Sequence, residues 1–254
     1  MTDPRQAIVE HTRRLADAAA AAGPDAPVPT APGWTITELV EHLGQTQHWA
    51  AEIIERRITD PAQLPAEMAE LPADPGAWPA WLAGSAQRFA DACTDEALAA
   101  PVFNAAADER TGGRFWLSSM LNEAVVHGFD GEHAAGRPPR VAPDVAAALI
   151  TNHLKMLTSP TWGLFRAESA QAVRGTGQTL ALRATDAADA WLIERRPEGA
   201  TWQSGAHDAD VTVSGPAGVL LLTLTRRLPL TAVTVAGDAA LIQHWLDNTA
   251  HVAG

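Results

Sequence analysis

Apolar residues recur with the period of an α-helix through the first half of the chain. Four segments show this pattern and are predicted as helices: residues 4–22, 34–57, 77–92 and 114–135. The second opens with Thr35 three residues before Glu38, which is a capping-box pattern, and the fourth stops at Gly136. Four helices of this length joined by loops predict an up-and-down four-helix bundle.

The pattern changes after residue 140. A fifth helix is predicted over residues 143–157, and four shorter segments have strand-like content: residues 170–175, 179–184, 190–196 and 209–215. Two apolar segments, residues 216–227 and 238–250, are predicted as helices on either side of a short strand within residues 230–237. This half is expected to be a small α+β domain in which helices cover an antiparallel sheet.

The fold class that these elements indicate is a helical domain followed by an α+β domain. We place the bundle at residues 1–140 and the α+β domain at residues 141–254, with the boundary near residues 138–143. The hydrophobic content of 46% is enough for packed cores. Four tryptophans are expected to build the second core: Trp162, Trp191, Trp202 and Trp245.

Composition narrows the classes of partner. The 18 basic residues against 30 acidic residues give a formal net charge of −12, and no segment forms a basic stripe. Such a surface is poorly suited to a phosphate backbone, so we expect no nucleic-acid binding. Lys155 is the only lysine, tyrosine is absent, and alanine, arginine, glycine and proline are abundant, which suggests a GC-rich bacterial genome.

The number of cysteines and the length of the apolar segments indicate the cellular compartment of the protein. Cys93 is the only cysteine, which excludes an internal disulfide and a cysteine-based zinc cluster; we expect it to be a small core residue. The N-terminal segment carries charges where a signal peptide needs an apolar core. Because no apolar run approaches the ~20 residues of a membrane-spanning helix, we expect a cytoplasmic protein with no membrane partner.

The segment NEAVVHGFD, residues 122–130, carries the first candidate chemistry. Glu123 and His127 are four residues apart and share one helix face with Trp116 and Met120, so both point toward the bundle interior. A buried carboxylate and imidazole need partners or a metal. Asp130, on nearly the same face, is expected to accept a hydrogen bond from the imidazole nitrogen that is not used for ligation.

Glu132 and His133, closer to the end of this predicted helix, are expected to face solvent.

A third ligand is expected from a facing helix, and the second predicted helix offers two histidines. Its apolar stripe consists of Ile36, Leu39, Val40, Leu43, Ala50 and Ile54. His42 sits at the edge of this stripe, whereas His48 projects among glutamates on the solvent side, so His42 is our choice. Two histidines, one glutamate and an open position form the ligand set of a catalytic zinc site. Nickel, iron and manganese also accept these ligands, and a buried Glu–His hydrogen bond without metal is the alternative.

Two segments resemble a known family. GWTITELVEHLG, residues 33–44, resembles the opening motif of the DinB-like helical bundle. NEAVVHGFDGEHAAG, residues 122–136, resembles the signature of that bundle in the mycothiol-dependent maleylpyruvate isomerase family. The region of residues 209–246 is similar to the end of the sterol-carrier-like α+β domain that follows the bundle in that family. Gly128 departs from the family pattern, in which an arginine is common at this position.

The resemblance implies a divalent metal, usually zinc, held by His42, Glu123 and His127. It also implies mycothiol as the thiol cofactor, which fits an actinobacterial origin. Metal coordination deprotonates a thiol, and the thiolate is the reactive form. We therefore expect thiol addition to a small electrophilic substrate, in an isomerase or in a thiol S-transferase. Arg226 and Arg227 are candidate catalytic cations that bind a carboxylate or the cofactor, although solvated residues at a helix end are the simpler interpretation.

Two other functions stay open at this point. One is a non-catalytic protein that keeps the metal as a structural or sensory element and holds an apolar ligand in its second domain. The other is a metal-dependent hydrolase in which bound water attacks, although the sequence offers no well-placed additional general base for it.

Overall fold

The computed structural model describes residues 2–138 and 140–249. The chain divides into two compact units, with the division between residues 139 and 140. The helices of the first unit are α1 (Pro4–Ala22), α2 (Ile36–Glu55), α3 (Trp78–Ala92), α4 (Asp95–Ala99) and α5 (Gly112–Ala134). The four long helices begin and end close to the predicted residues, and α4 is an additional short turn between α3 and α5.

Local capping explains where these helices start and where α5 ends. The backbone N–H of Thr35 donates to the Glu38 carboxylate at 2.8 Å, which confirms the predicted capping box of α2. At the start of α1, the Asp3 carboxylate accepts from the backbone N–H of Arg5 at 2.9 Å. Gly136 follows α5 with a φ of +70°, a conformation that glycine adopts without strain.

Helices α1 and α5 run parallel and lie in close contact. The backbone carbonyl oxygen of His11 is 3.1 Å from the position that a β-carbon on Gly128 would occupy. One turn further along both helices, Arg14 forms an ion pair with Glu132 across 2.5 Å. Glu132 is only 5% exposed, so the prediction that it faces solvent is wrong. A buried carboxylate is tolerated there because the guanidinium of Arg14 compensates its charge.

Helices α2 and α3 also run parallel, which corrects the predicted up-and-down topology. The Trp81 ring occupies the space beside Gly44, and one turn later Ser85 donates a hydrogen bond to Gln47 at 2.7 Å. Helix α2 is antiparallel to α5, so the four long helices run up, down, down and up. The long connection of residues 56–77 allows this order because it is long enough to return along the bundle before α3 begins.

A chain of hydrogen bonds crosses the largely apolar interior of the bundle. Its largest fully buried side chains are Ile8, Leu15, Ile36, Leu39, Leu43, Ile53, Ile54, Leu82 and Phe89. The Gln47 amide donates to the Thr12 hydroxyl at 2.7 Å and accepts from Ser85, and all three residues are 0% exposed. This chain joins α1, α2 and α3 without leaving the Gln47 amide unsatisfied in the core.

The second unit is an α+β fold, in agreement with the predicted fold class. Its helices are α6 (Pro143–Leu157), α7 (Trp162–Phe165), α8 (Ala167–Ala172), α9 (Ala217–Leu224) and α10 (Ala239–Thr249). Its strands are β1 (Thr179–Ala184), β2 (Ala190–Arg196), β3 (Gly199–Ser204), β4 (Val211–Gly215) and β5 (Thr234–Gly237), in the sheet order β3-β2-β1-β4-β5. Among the described residues, no helix combines the length and apolarity needed to cross a lipid bilayer.

The sheet differs from the predicted one in three respects. It is mixed, because β1 pairs parallel with β4, with Leu180 opposite Val211, while the other neighbours are antiparallel. The predicted strand at residues 170–175 is instead the end of α8 and the following turn, where alanine and glutamine favour the helix. Strand β3 was not predicted. The last residue of the predicted final helix, Ala250, lies outside the described residues.

Three of the four tryptophans assigned to the second core are buried. Trp162, Trp191 and Trp245 are 7%, 2% and 1% exposed. The indole N–H of Trp191 donates to the Thr151 hydroxyl at 2.9 Å, which satisfies its polar group. Trp202 is only half-buried because it lies on β3, an edge strand with a neighbour on one side only.

Candidate metal centre

Helices α2 and α5 bring three polar side chains together. The buried apolar residues of α2 hold one face of that helix against the bundle, and His42 lies at the edge of this face. On α5, Glu123 and His127 are one turn apart and therefore lie on the same face. The antiparallel packing of α2 on α5 places all three side chains at one level of the bundle.

The potential ligand atoms of these residues converge. His42 Nε2 is 3.1 Å from Glu123 Oε2, and His127 Nε2 is 3.2 Å from the same oxygen. One ligand atom from each residue lies within 4.8 Å of the others. Two imidazole nitrogens and one carboxylate oxygen in this arrangement are a donor set that suits zinc, and also nickel, iron or manganese.

Asp130 fixes the orientation of one imidazole. Its Oδ2 is 2.9 Å from His127 Nδ1, and its other carboxylate oxygen accepts from the Thr30 hydroxyl at 2.6 Å. Asp130 is 0% exposed, so water does not compete for these bonds. Because Nδ1 of His127 bonds to the carboxylate, Nε2 is the nitrogen that faces Glu123 and His42, as a metal-ligating histidine requires.

Hydrogen bonds favour the charged forms of His127 and Glu123 despite burial. Burial alone would lower the pKa of His127, but its hydrogen bonds to Asp130 and Glu123 outweigh this effect and raise the pKa to about 9. Burial would raise the pKa of Glu123, yet the hydrogen bonds from His127 and His42 hold it well below its usual range. A metal cation that binds to these ligand atoms must displace the proton of the His127 imidazole, so metal binding would release protons.

Trp34 forms an aromatic wall beside both histidines. Its ring centroid is 5.8 Å from that of His127, in a stacked arrangement, and 5.0 Å from that of His42. The His127 side chain is 7% exposed, whereas those of Glu123 and His42 are 27% and 38% exposed. Within the first unit, the cluster is therefore closed around His127 and accessible on the side of His42.

The second histidine of α2 lies elsewhere. The His48 ring packs against Trp81 with a centroid distance of 5.8 Å, and its Nδ1 is 3.4 Å from a guanidinium nitrogen of Arg88. Burial and the nearby Arg88 charge lower the pKa of His48. His48 is half-buried against α3 rather than fully on the solvent side, and it does not belong to the trio.

The two candidate cations of the second unit differ in environment. Arg226 has a φ of +59°, and its side chain is 46% exposed with Asp247 at 4.0 Å. Arg227 is 7% exposed and donates to the Thr225 carbonyl at 3.0 Å. Both follow the last turn of α9. Their catalytic role stays a prediction.

Sequence reasoning missed two residues that contact the candidate site. Trp34 precedes α2 within the GWT motif, so the motif itself was a signal that this residue has a role. Thr30 lies in the loop of residues 23–35, where helical periodicity does not apply, and no pattern identifies it.

Comparisons with known proteins agree with the fold. The family model described as the mycothiol maleylpyruvate isomerase N-terminal domain matches residues 5–131. Two sequences of Mycobacterium tuberculosis, Uncharacterized protein Rv0036c and Uncharacterized protein MT0041, are each 28% identical over 243 residues, covering 88% of this chain and 84% of the relative.

Crystal structures of the mycothiol-dependent maleylpyruvate isomerase share the fold of the chain. One has a TM-score of 0.57 at 14% identity and covers 94% of this chain and 98% of that chain. The structure of a histidine-to-alanine mutant gives 0.56 at 13% identity with the same coverage. The family model itself spans half of the chain and includes the trio and Asp130. The chain therefore belongs to the mycothiol maleylpyruvate isomerase N-terminal domain family.

Proposed function

We propose that the protein is a metal- and thiol-dependent enzyme that uses mycothiol to act on a small electrophilic molecule. The observation that carries this proposal is the convergence of His42, Glu123 and His127 at one level of the bundle. Family membership supports the thiol, because the solved relatives are named as mycothiol-dependent isomerases.

The trio would hold the metal through His42 Nε2, His127 Nε2 and a Glu123 oxygen. A bound divalent cation, with zinc as our choice, would lower the pKa of a coordinated thiol and so supply thiolate at neutral pH. Glu123 contributes one negative charge, and the deprotonated histidines contribute none. The ligand set thus leaves a net positive charge, which favours an anionic fourth ligand such as a thiolate.

Asp130 and Trp34 orient and shield the two proposed histidine ligands. Asp130 holds His127 with Nε2 toward Glu123, and Trp34 covers both rings with an apolar surface that limits access of water. Exposure of His42 and Glu123 leaves the approach for cofactor and substrate on their side.

The proposed reaction is addition of the thiol to an electrophilic carbon of the substrate. In an isomerase the adduct rotates about the former double bond and then expels the thiol. In a thiol S-transferase the new C–S bond is kept in the product, and with monochlorobimane it replaces the C–Cl bond and chloride leaves. Both reactions need the same thiol activation, so the trio serves either of them. Arg226 and Arg227 are our candidates for binding a substrate or cofactor carboxylate through bidentate hydrogen bonds.

Metal analysis and two matched variants test the metal half of the proposal. We expect protein purified without added metal to contain, or to take up, about one equivalent of zinc. His42→Ala should abolish uptake, whereas His48→Ala should retain it because His48 lies against α3. Absence of zinc uptake by the unmodified protein, or loss of uptake only in the His48 variant, would contradict the proposed ligand set.

Turnover measurements test the thiol half. The metal-loaded protein is incubated with mycothiol and either maleylpyruvate or monochlorobimane, with thiol-free reactions as controls. We expect turnover that requires both the metal and the thiol, and the active electrophile distinguishes isomerase from S-transferase. Tight metal binding without thiol-dependent turnover of either electrophile would contradict the catalytic proposal and favour a binding protein.

A further inference from the structure

The loop of residues 23–35 forms an ordered support beside the trio. The Val28 N–H donates to the Trp34 carbonyl at 2.9 Å, and the Trp34 N–H donates to the Ala31 carbonyl at 3.0 Å. Val28 and Ala31 are 2% and 0% exposed, so they anchor the loop in the bundle core. Thr30 lies between these two anchors, and its backbone position is therefore fixed by both packing and hydrogen bonds.

Thr30 connects this loop to the ligand helix. Its hydroxyl donates to one oxygen of Asp130 at 2.6 Å, and the other oxygen of Asp130 is 2.9 Å from His127 Nδ1. Distinct partners on the two oxygens hold the carboxylate in one rotation about its terminal bond. Because the terminal torsion of aspartate is broad, the hydrogen bond from Thr30 restricts this rotation in addition to the hydrogen bond with His127.

We propose that Thr30 is a positioning residue for the metal ligand His127, acting through Asp130. The inference rests on the proposed metal site and assigns a part of it to a loop distant in sequence from α5. With Asp130 fixed, the imidazole presents Nε2 toward Glu123 and His42 before any cation arrives. Pre-organised ligands bind more tightly, and replacement of such supporting residues typically lowers metal affinity about 10- to 100-fold.

Zinc affinity of the full chain, measured by competition with a chromogenic chelator, tests the proposal. Thr30→Val removes the hydroxyl at nearly constant volume and should weaken zinc binding roughly 10-fold, at the lower end of the range for such supporting residues. Thr30→Ser keeps the hydroxyl, so its zinc affinity should stay within about twofold of that of the unmodified protein. This change is much smaller than the 10- to 100-fold loss expected when a supporting residue is removed. Equal affinity of the Val and unmodified proteins would overturn the proposal, as would equal weakening by Val and Ser.

Thr37→Val is the matched control within the same region. The Thr37 hydroxyl donates to the Pro24 carbonyl at 3.1 Å and so secures the start of the loop without contacting Asp130. Loss of this bond should leave zinc affinity unchanged. If Thr37→Val weakens zinc binding as much as Thr30→Val, general loosening of the loop explains the loss and the positioning role is wrong. Should Thr30→Val fail to fold, Thr30→Ala provides the same comparison against Ser.

A double-mutant cycle with Asp130→Asn tests the route of action. If Thr30 acts through Asp130, Thr30→Val should have almost no further effect on zinc affinity in the Asp130→Asn background. Independent, additive losses would overturn the proposal. The absorption spectrum of the cobalt-loaded protein gives a second readout, and it should change in Thr30→Val but not in Thr37→Val. Failure of the unmodified protein to bind zinc or cobalt would overturn the metal site as well, whereas normal binding with an inert Thr30→Val overturns this inference alone.

Discussion

Two buried histidines of the first unit have pKa values shifted in opposite directions. His11 and His127 are each 6% exposed. Burial, together with the nearby Arg14 charge, lowers the pKa of His11 to about 4, while the carboxylates of Asp130 and Glu123 raise that of His127 to about 9. The neighbouring charges, rather than the extent of burial, therefore decide which histidine is charged at neutral pH in the absence of metal.

The low pKa of His11 predicts a loss of stability in acid. Between pH 6.5 and about 4, the unfolded chain binds a proton on His11 that the folded chain does not, so the free energy of unfolding falls as the pH decreases. The full effect is on the order of 3 kcal/mol, from about 1.4 kcal/mol per pKa unit. Urea unfolding of the unmodified protein and of His11→Gln across this range should show a smaller pH dependence in the variant. Identical pH profiles would contradict the shift.

Burial makes Cys93 an inert thiol. The residue is 0% exposed, which confirms the prediction of a core position, and burial raises its pKa to about 12. At pH 8 the thiolate fraction is on the order of 10⁻⁴, so we expect almost no reaction of the native protein with a thiol-specific reagent. The same reagent should label one equivalent after unfolding in guanidinium. Rapid labelling of the native protein would show that Cys93 is accessible.

At the level of elements, the position of α5 depends on contacts at its first turn. The carbonyl oxygen of Val102 occupies the space that a β-carbon on Gly112 would need. The backbone of the preceding segment is thus packed directly on the start of the helix that carries Glu123 and His127. Glycine is required there by this close approach rather than by a left-handed conformation.

Two glycine substitutions should have opposite effects on stability. Gly112→Ala places a methyl group against backbone atoms that cannot rotate away, so we expect it to lower the free energy of unfolding by about 1–3 kcal/mol. Gly84→Ala, in the exposed middle of α3 with open space around it, should raise the free energy of unfolding by up to about 1 kcal/mol. Thermal unfolding followed by circular dichroism measures both. A stabilised Gly112 variant would contradict the packing of the α5 start.

At the level of the whole molecule, the candidate chemistry is divided between two units. The trio, Asp130, Thr30 and Trp34 belong to the first unit, whereas Arg226 and Arg227 belong to the second. The residues of the first group contact one another within one helical bundle. That the two arginines bind a substrate or cofactor carboxylate is a prediction, and kinetic measurements on the full chain test it.

Replacement of Arg226 tests this prediction with little risk to folding, because its side chain is half exposed. If it binds a substrate or cofactor carboxylate, Arg226→Met should lower thiol-dependent kcat/KM by about 10-fold or more, the loss of one charged hydrogen bond, while zinc affinity stays unchanged. Arg196→Met is the control, because Arg196 is an exposed arginine of the same unit that pairs with Glu194 at 2.6 Å. Equal turnover in both variants would remove Arg226 from the candidate residues.

The sequence by itself determined the features that depend on local interactions. Helix periodicity and the capping box defined the long helices, since both arise within a few residues of the chain. The four-residue spacing put Glu123 and His127 on one face, and the apolar stripe of α2 separated His42 from His48. Hydrophobic pattern also predicted the change from a helical to an α+β unit near residue 140.

Only the tertiary structure decided the features that depend on residues far apart in the chain. The parallel course of α2 and α3, the parallel pairing of β1 with β4, and the buried ion pair of Glu132 all follow from which surfaces meet. Thr30 lies 100 residues before Asp130, and a loop residue carries no periodic signal of its partner. The physical reason is that close packing and buried hydrogen bonds select among topologies that satisfy the same local preferences equally well.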